Sequence, residues 1–106
     1  MSESPKAGIY LIVDFQWPHP FDPAIGVKAR KLHDVVQGQS WIREIMAASG
    51  GVGAGPAYTW VFWLENYAAL DRLLRNAEDE ICKAYVDFFS QMEQVSDKLR
   101  GEVLFL

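Results

Sequence analysis

Asp14 is the only charged side chain in the apolar run of residues 8–15. A carboxylate in such a run is costly unless it is paired or reaches water. It is therefore a general base or ligand-orienting group at a pocket mouth, a rim residue that has reached water, or a residue paired to an arginine. His19 sits between Pro18 and Pro20, so its backbone is stiff. It is either a pre-positioned acid or base or an exposed loop histidine. Asp14 and His19 are the candidate catalytic residues. The candidate ligand contacts are Tyr10, Arg43, Trp60 and Trp63, because aromatic walls with one polar group suit a flat apolar ligand. The same rings suit a dry core equally well. His33 lies at the edge of a helical apolar stripe and reads as structural or solvated. Cys82 has no histidine or second cysteine near it and reads as a small core or boundary residue. Metal-ligand spacing is absent, so no metal and no cofactor are expected. The glycine-rich stretch 49–56 lacks the Lys-Ser/Thr ending and the following helix of a phosphate cradle. It reads as a hairpin loop between two strands.

Composition narrows the field. The chain has 106 residues and a mass of 12.0 kDa, which implies a single domain over 1–106. Half the residues are hydrophobic and 23% are charged, a globular balance. A net charge of −4 argues against nucleic acid or an anionic membrane as partner. One cysteine excludes an internal disulfide framework and fits a reducing, cytoplasmic setting. The start lacks the basic n-region of a signal peptide. The run 7–15, interrupted by Asp14, is far short of the about 20 residues that span a bilayer.

The elements that must position these residues follow from periodicity. Residues 8–15 read as a first strand. Asp22 and Pro23 open a helix as N-cap and first helical residue. Its apolar stripe is Ile25, Ala29, Leu32 and Val36, and Gly38 is its stop. Residues 40–48 read as a second strand with Arg43 and Glu44 on opposite sides, Arg43 pairing with Asp14 or Glu102. Residues 57–64 are the clearest strand. Asn66 caps a second helix with the stripe Tyr67, Leu70, Leu74, Ala77, Ile81, Tyr85, Phe88, Met92 and Val95. Unbroken, that helix would run about 45 Å, against about 30 Å for a strand. A break is expected at 76–80, with Asn76 or Asp79 capping the second segment. Residues 99–106 read as a fourth strand built on Val103, Leu104, Phe105 and Leu106. The order β-α-β-β-α-β defines a ferredoxin-like α+β fold: an antiparallel four-stranded sheet with two helices on one face.

Two helices cover one face only, yet both parities of the strands are apolar. Strand three carries Tyr58, Trp60, Phe62 and Leu64 on one side and Ala57, Thr59, Val61 and Trp63 on the other. Trp60 and Trp63 therefore face opposite sides. An open apolar sheet face exceeds what a soluble monomer usually shows. A homodimer, through a self-complementary twofold contact, is the expected cover.

This element order, with residues 55–72 forming an aromatic-rich strand, an acidic residue, a short turn and a helix start, resembles the dimeric α+β barrel superfamily. The NIPSNAP-like and antibiotic-biosynthesis-monooxygenase-like branches share that pattern. The resemblance implies two sheets facing each other across a dimer, and a small-molecule pocket between each sheet and its own helices. Its haem-degrading branch carries an iron ligand in the second helix, where this chain has Leu73, Leu74 and Ala77; the resemblance therefore does not imply haem. Two readings follow. One is a homodimeric barrel of unassigned activity holding a small apolar or aromatic ligand. The other is a cofactor-independent monooxygenase, isomerase or cyclase acting on a small aromatic or polyketide-like substrate. An enzyme needs a hollow with convergent polar groups; a packed module does not.

Overall fold

The structure, a computed structural model, describes residues 7–18, 20, 22–50 and 52–105. The elements are β1 (Ile9–Gln16), α1 (Pro23–Val36), β2 (Ile42–Ser49), β3 (Tyr58–Leu64), α2 (Tyr67–Arg75), α3 (Glu80–Phe89) and β4 (Glu93–Gly101). The sheet order is β2-β3-β1-β4 and every neighbouring pair is antiparallel. This is the ferredoxin-like arrangement, with the second helix divided in two.

Local chemistry explains the helix ends. The Asp22 carboxylate accepts from the Ala24 amide at 2.9 Å, and Pro23 takes the first helical position. The Asn66 side chain accepts from the Ala69 amide at 2.9 Å. The expected break falls at residues 76–79, and Asp79 caps α3 by accepting from the Ile81 amide at 2.8 Å. Asp79 also accepts from Arg72 Nε at 2.6 Å, and the Arg72 guanidinium lies 4.4 Å from the Trp41 ring centroid. One carboxylate thus fastens α3 to α2 and, through Arg72, to the start of β2. These contacts hold the Asp79 carboxyl below its ordinary range, the Arg72 hydrogen bond foremost.

Three expectations need correction. The apolar stripe of the second helix does not stay in phase. In α2 the buried residues are Ala69 and Leu73, Leu70 and Leu74 are only partly buried, and Tyr67 is exposed. The break re-phases the helix, and α3 buries Ile81, Cys82, Ala84, Tyr85, Phe88 and Phe89. Second, the fourth strand is Glu93–Gly101, not 99–106. The spacing of Met92 and Val95 continues the helical period by coincidence, but the helix ends at Phe89. Pairing with β1 ends where the Glu102 amide donates to the Gly8 carbonyl at 3.0 Å. Val103 and Phe105 lie beyond it, exposed, and Leu106 is outside the described residues. Third, β2 begins at Ile42, and its register with β3 slips between Ile42 and Glu44. Arg43 is the extra residue of this bulge, so Ile42 and Ile45 both turn into the core, which simple alternation forbids.

The core lies between the sheet and the helices. Ile9, Leu11, Val13 and Phe15 of β1 and Trp60, Phe62 and Leu64 of β3 face it. Trp60 stacks on Phe88 at 5.1 Å, Phe62 meets Tyr85 at 5.5 Å, and Phe15 meets Phe89 at 5.3 Å. Phe15, Phe62 and Phe88 are fully buried. Aromatic side chains occupy the layer in which the resemblance placed a ligand. No helix among the described residues is long and apolar enough to cross a membrane.

Candidate functional site on the open sheet face

The face turned away from the helices is ordered in rows by the strand registers. Read from β2 to β4, the first row is Glu44, Trp63, Tyr10 and Arg100. The second is Met46, Val61, Ile12 and Lys98, and the third is Ala48, Thr59, Asp14 and Ser96. The centre is apolar and half-buried, through Tyr10, Ile12, Val61 and Trp63. The β4 edge is polar, contrary to the expected apolar end of the last strand. Charged residues on an edge strand discourage unspecific pairing.

The first row is locked by one carboxylate. Glu102 Oε1 accepts from the Gly8 amide at 2.7 Å, Arg43 Nη1 at 3.0 Å and Trp63 Nε1 at 3.1 Å. Its side chain is only 13% exposed. Arg43 therefore pairs with Glu102, one of its two expected partners. Its guanidinium also sits 5.5 Å from the Trp63 ring centroid, and Trp63 stacks on Tyr10 at 5.8 Å. Trp63 thus meets both the Arg43 cation and the Tyr10 ring. Gly8 has to be glycine here, because a Cβ would collide with the Leu64 carbonyl oxygen and press on Arg43 Nη1 and Trp63 Nε1.

Asp14 lies at the opposite end. Thr59 Oγ1 donates to its Oδ1 at 2.5 Å, and Lys98 Nζ pairs with its Oδ2 at 3.2 Å. The Thr59 hydrogen bond, assisted by Lys98 and opposed in part by burial, holds the Asp14 carboxyl below its ordinary range. Asp14 is thus an anion at neutral pH and a weak base, suited to orienting a ligand more than to removing protons. A hollow of about 340 Å³ opens beside it, lined by Asp14, Thr59, Lys98 and the loop residues Gly50 and 52–57.

The structure does not bring the candidates into one cluster. Tyr10, Arg43 and Trp63 gather at the Glu102 end. Asp14 stands four residues along β1 from Tyr10, about 13 Å at the usual strand rise. Trp60 is buried on the other side of the sheet, in the core. His19 lies outside the described residues. Among the described residues no group of three His, Cys, Asp or Glu could hold a metal. Sequence reasoning missed Thr59 and Lys98 as the partners of Asp14, since both depend on registers that no local pattern reveals.

No family model matches the chain, and no curated protein does. Solved structures do. A protein from Pseudomonas aeruginosa is 12% identical, with a TM-score of 0.66 over 98% of this chain and 100% of that one. A dabb family protein with a ferredoxin-like fold from Mesorhizobium loti is 10% identical, with a TM-score of 0.69 over 94% and 99%. A dimeric ferredoxin-like protein of unknown function from Thermobifida fusca is 14% identical, with a TM-score of 0.63 over 92% of each chain. At these identities the likeness is one of fold.

Proposed function

We propose that this chain is a single-domain, cytoplasmic, homodimeric α+β barrel protein. Two copies join through their open sheet faces and hold a small, mainly apolar or aromatic ligand between them. The observation that carries this reading is the half-buried stripe of Tyr10, Ile12, Val61 and Trp63, which neither helix layer covers. The solved Thermobifida fusca protein of the same fold is dimeric, which supports it. Aromatic packing beneath the helices moves the ligand from that layer to the space between the sheets. There the Asp14 row is built of small side chains, Ala48, Thr59 and Ser96, and leaves room. Ile12, Val61 and Met46 supply an apolar floor, and Asp14 and Lys98 supply the polar contact. NIPSNAP-like or antibiotic-biosynthesis-monooxygenase-like kinship fits this arrangement. The lowered pKa of Asp14 favours holding a ligand over cofactor-independent oxygenation, isomerisation or cyclisation with that residue as base. Native mass spectrometry of protein purified from cells tests the proposal. The expected species is twice the 12.0 kDa chain with a small molecule retained. A bare 12.0 kDa monomer at micromolar concentration overturns it.

A further inference from the structure

The open face carries its charge asymmetrically. In the first row the acid, Glu44, stands on the β2 edge and the base, Arg100, on the β4 edge, with Trp63 and Tyr10 between. Glu44 has no hydrogen bond or ion pair to another described residue, and the Arg100 guanidinium reaches only the neighbouring Leu99 carbonyl, at 2.7 Å. The second row places Lys98 on the β4 edge and uncharged Met46 on the β2 edge.

Two copies can meet face to face about a twofold axis in either of two limiting ways. With the axis lying across the strands, each edge strand faces its own copy and the middle row faces itself. Lys98 then opposes the partner's Lys98, and both bases of β4 gather on one side. With the axis parallel to the strands, every row faces itself reversed. Glu44 then opposes the partner's Arg100, Trp63 opposes the partner's Tyr10, Val61 opposes the partner's Ile12, and Lys98 opposes the partner's Met46. Only this second arrangement matches unlike charges and ring against ring.

Strand direction agrees. β2 runs parallel to β1, because both are antiparallel to β3, and β4 runs antiparallel to β1. An axis along the strands preserves direction, so β2 of one copy and β4 of the other run antiparallel. Their free edges can then pair and close the two sheets into one barrel.

We propose that the twofold axis lies along the strands and that Glu44 meets the partner's Arg100 at both edges. This rests on the homodimer proposed above. It has a consequence for the ligand. Both aromatic ends coincide, so two Trp63 and two Tyr10 rings plug one end of the bore. Both Asp14 ends coincide at the other, where the small third-row residues of the two sheets face each other about 10 Å apart. The chamber is complete only in the dimer. It offers two carboxylates, two ammonium groups and an apolar floor, and so takes a small molecule with an apolar body and a polar head.

The test is selective pairing of exposed, charge-reversed variants, read by sedimentation equilibrium and by native mass spectrometry of mixtures. Glu44→Arg sets like charges at both edges of its own dimer, as does Arg100→Glu. Each is expected to weaken self-association about tenfold or more. Mixed together they restore unlike charges at both edges and form the heterodimer well beyond the statistical half. Met46→Glu, placed opposite the partner's Lys98, is expected to tighten the dimer. Glu78→Arg and Arg30→Glu, reversed on the helical side, are expected to mix statistically. A monomeric wild type would defeat the dimer itself. A dimeric wild type whose edge variants mix statistically, or whose helix-side variants pair just as selectively, would overturn the orientation while leaving the dimer standing.

Discussion

Phe88→Ala probes whether the layer beneath the helices is packed or hollow. Phe88 is fully buried, and its ring lies 5.7 Å from Phe15, 5.7 Å from Trp17, 5.1 Å from Trp60 and 4.8 Å from Phe89. Truncating a buried phenylalanine costs about 3–5 kcal/mol where the surroundings cannot collapse. Four aromatic neighbours, each worth about 0.5–1.5 kcal/mol beyond burial, place this site at the upper end. Against a total of about 5–15 kcal/mol, the loss is a large share of the fold's stability. At about 4–8 °C per kcal/mol, a 4 kcal/mol loss lowers Tm by about 15–30 °C. Thermal and urea unfolding, at one fixed protein concentration because self-association couples to stability, read the effect. The variant should still dimerise at low temperature, since Phe88 faces away from the open sheet face. A loss below about 1 kcal/mol would refute the reasoning. It would mean that the layer has slack, and the ligand would return to the space between sheet and helices.

Other perturbations act through charge and backbone. Asp97 faces the helix side of β4 opposite Val13 without a hydrogen-bonding partner among the described residues, and desolvation raises its pKa. A raised carboxyl pKa means that the folded state favours the proton, so stability falls as pH climbs from the unfolded value through the folded one. Asp97→Asn should therefore raise the urea midpoint at pH 7 and lose that advantage near pH 3. Asp79 behaves oppositely: its lowered pKa gives stability that is present above its unfolded value of 3.8 and is lost as pH falls through the folded one. Asp79→Ala should cost about 1–2 kcal/mol at pH 7 from the cap alone and flatten the acid limb of the stability profile. Gly8→Ala should cost about 1–3 kcal/mol from overpacking against Leu64, with a shift in Trp63 fluorescence as the indole loses its place on Glu102. Thr59→Val should raise the Asp14 pKa, which a carbonyl NMR titration of Asp14 reads directly.

The elements legible in the sequence were those whose signals are local. Asp22 with Pro23, Asn66, and the interruption at 76–80 ending in Asp79 are short-range chemistry, and the structure uses each as a cap or break. The opposite facing of Trp60 and Trp63 needed only the two-residue period of a strand. What escaped was nonlocal. The bulge at Arg43 inserts one residue without any marker in composition, and so inverts the parity of everything before it. β4 has Ser96, Lys98 and Arg100 outward, while its inward parity sets Asp97 between Val95 and Leu99. That charge breaks the apolar alternation, while the neighbouring Val103, Leu104 and Phe105 carried a false signal. The Glu102 junction gathers donors from Gly8, Arg43 and Trp63, which only the assembled sheet brings together.

Sedimentation equilibrium of the wild type beside Val61→Glu puts the central claim to its most direct test, because Val61 sits in the middle of the open face and outside the core. The account predicts twice the 12.0 kDa chain mass for the wild type and the single chain mass for a folded Val61→Glu. A wild type that sediments as one chain, or a Val61→Glu variant that dimerises as tightly as the wild type, would contradict it.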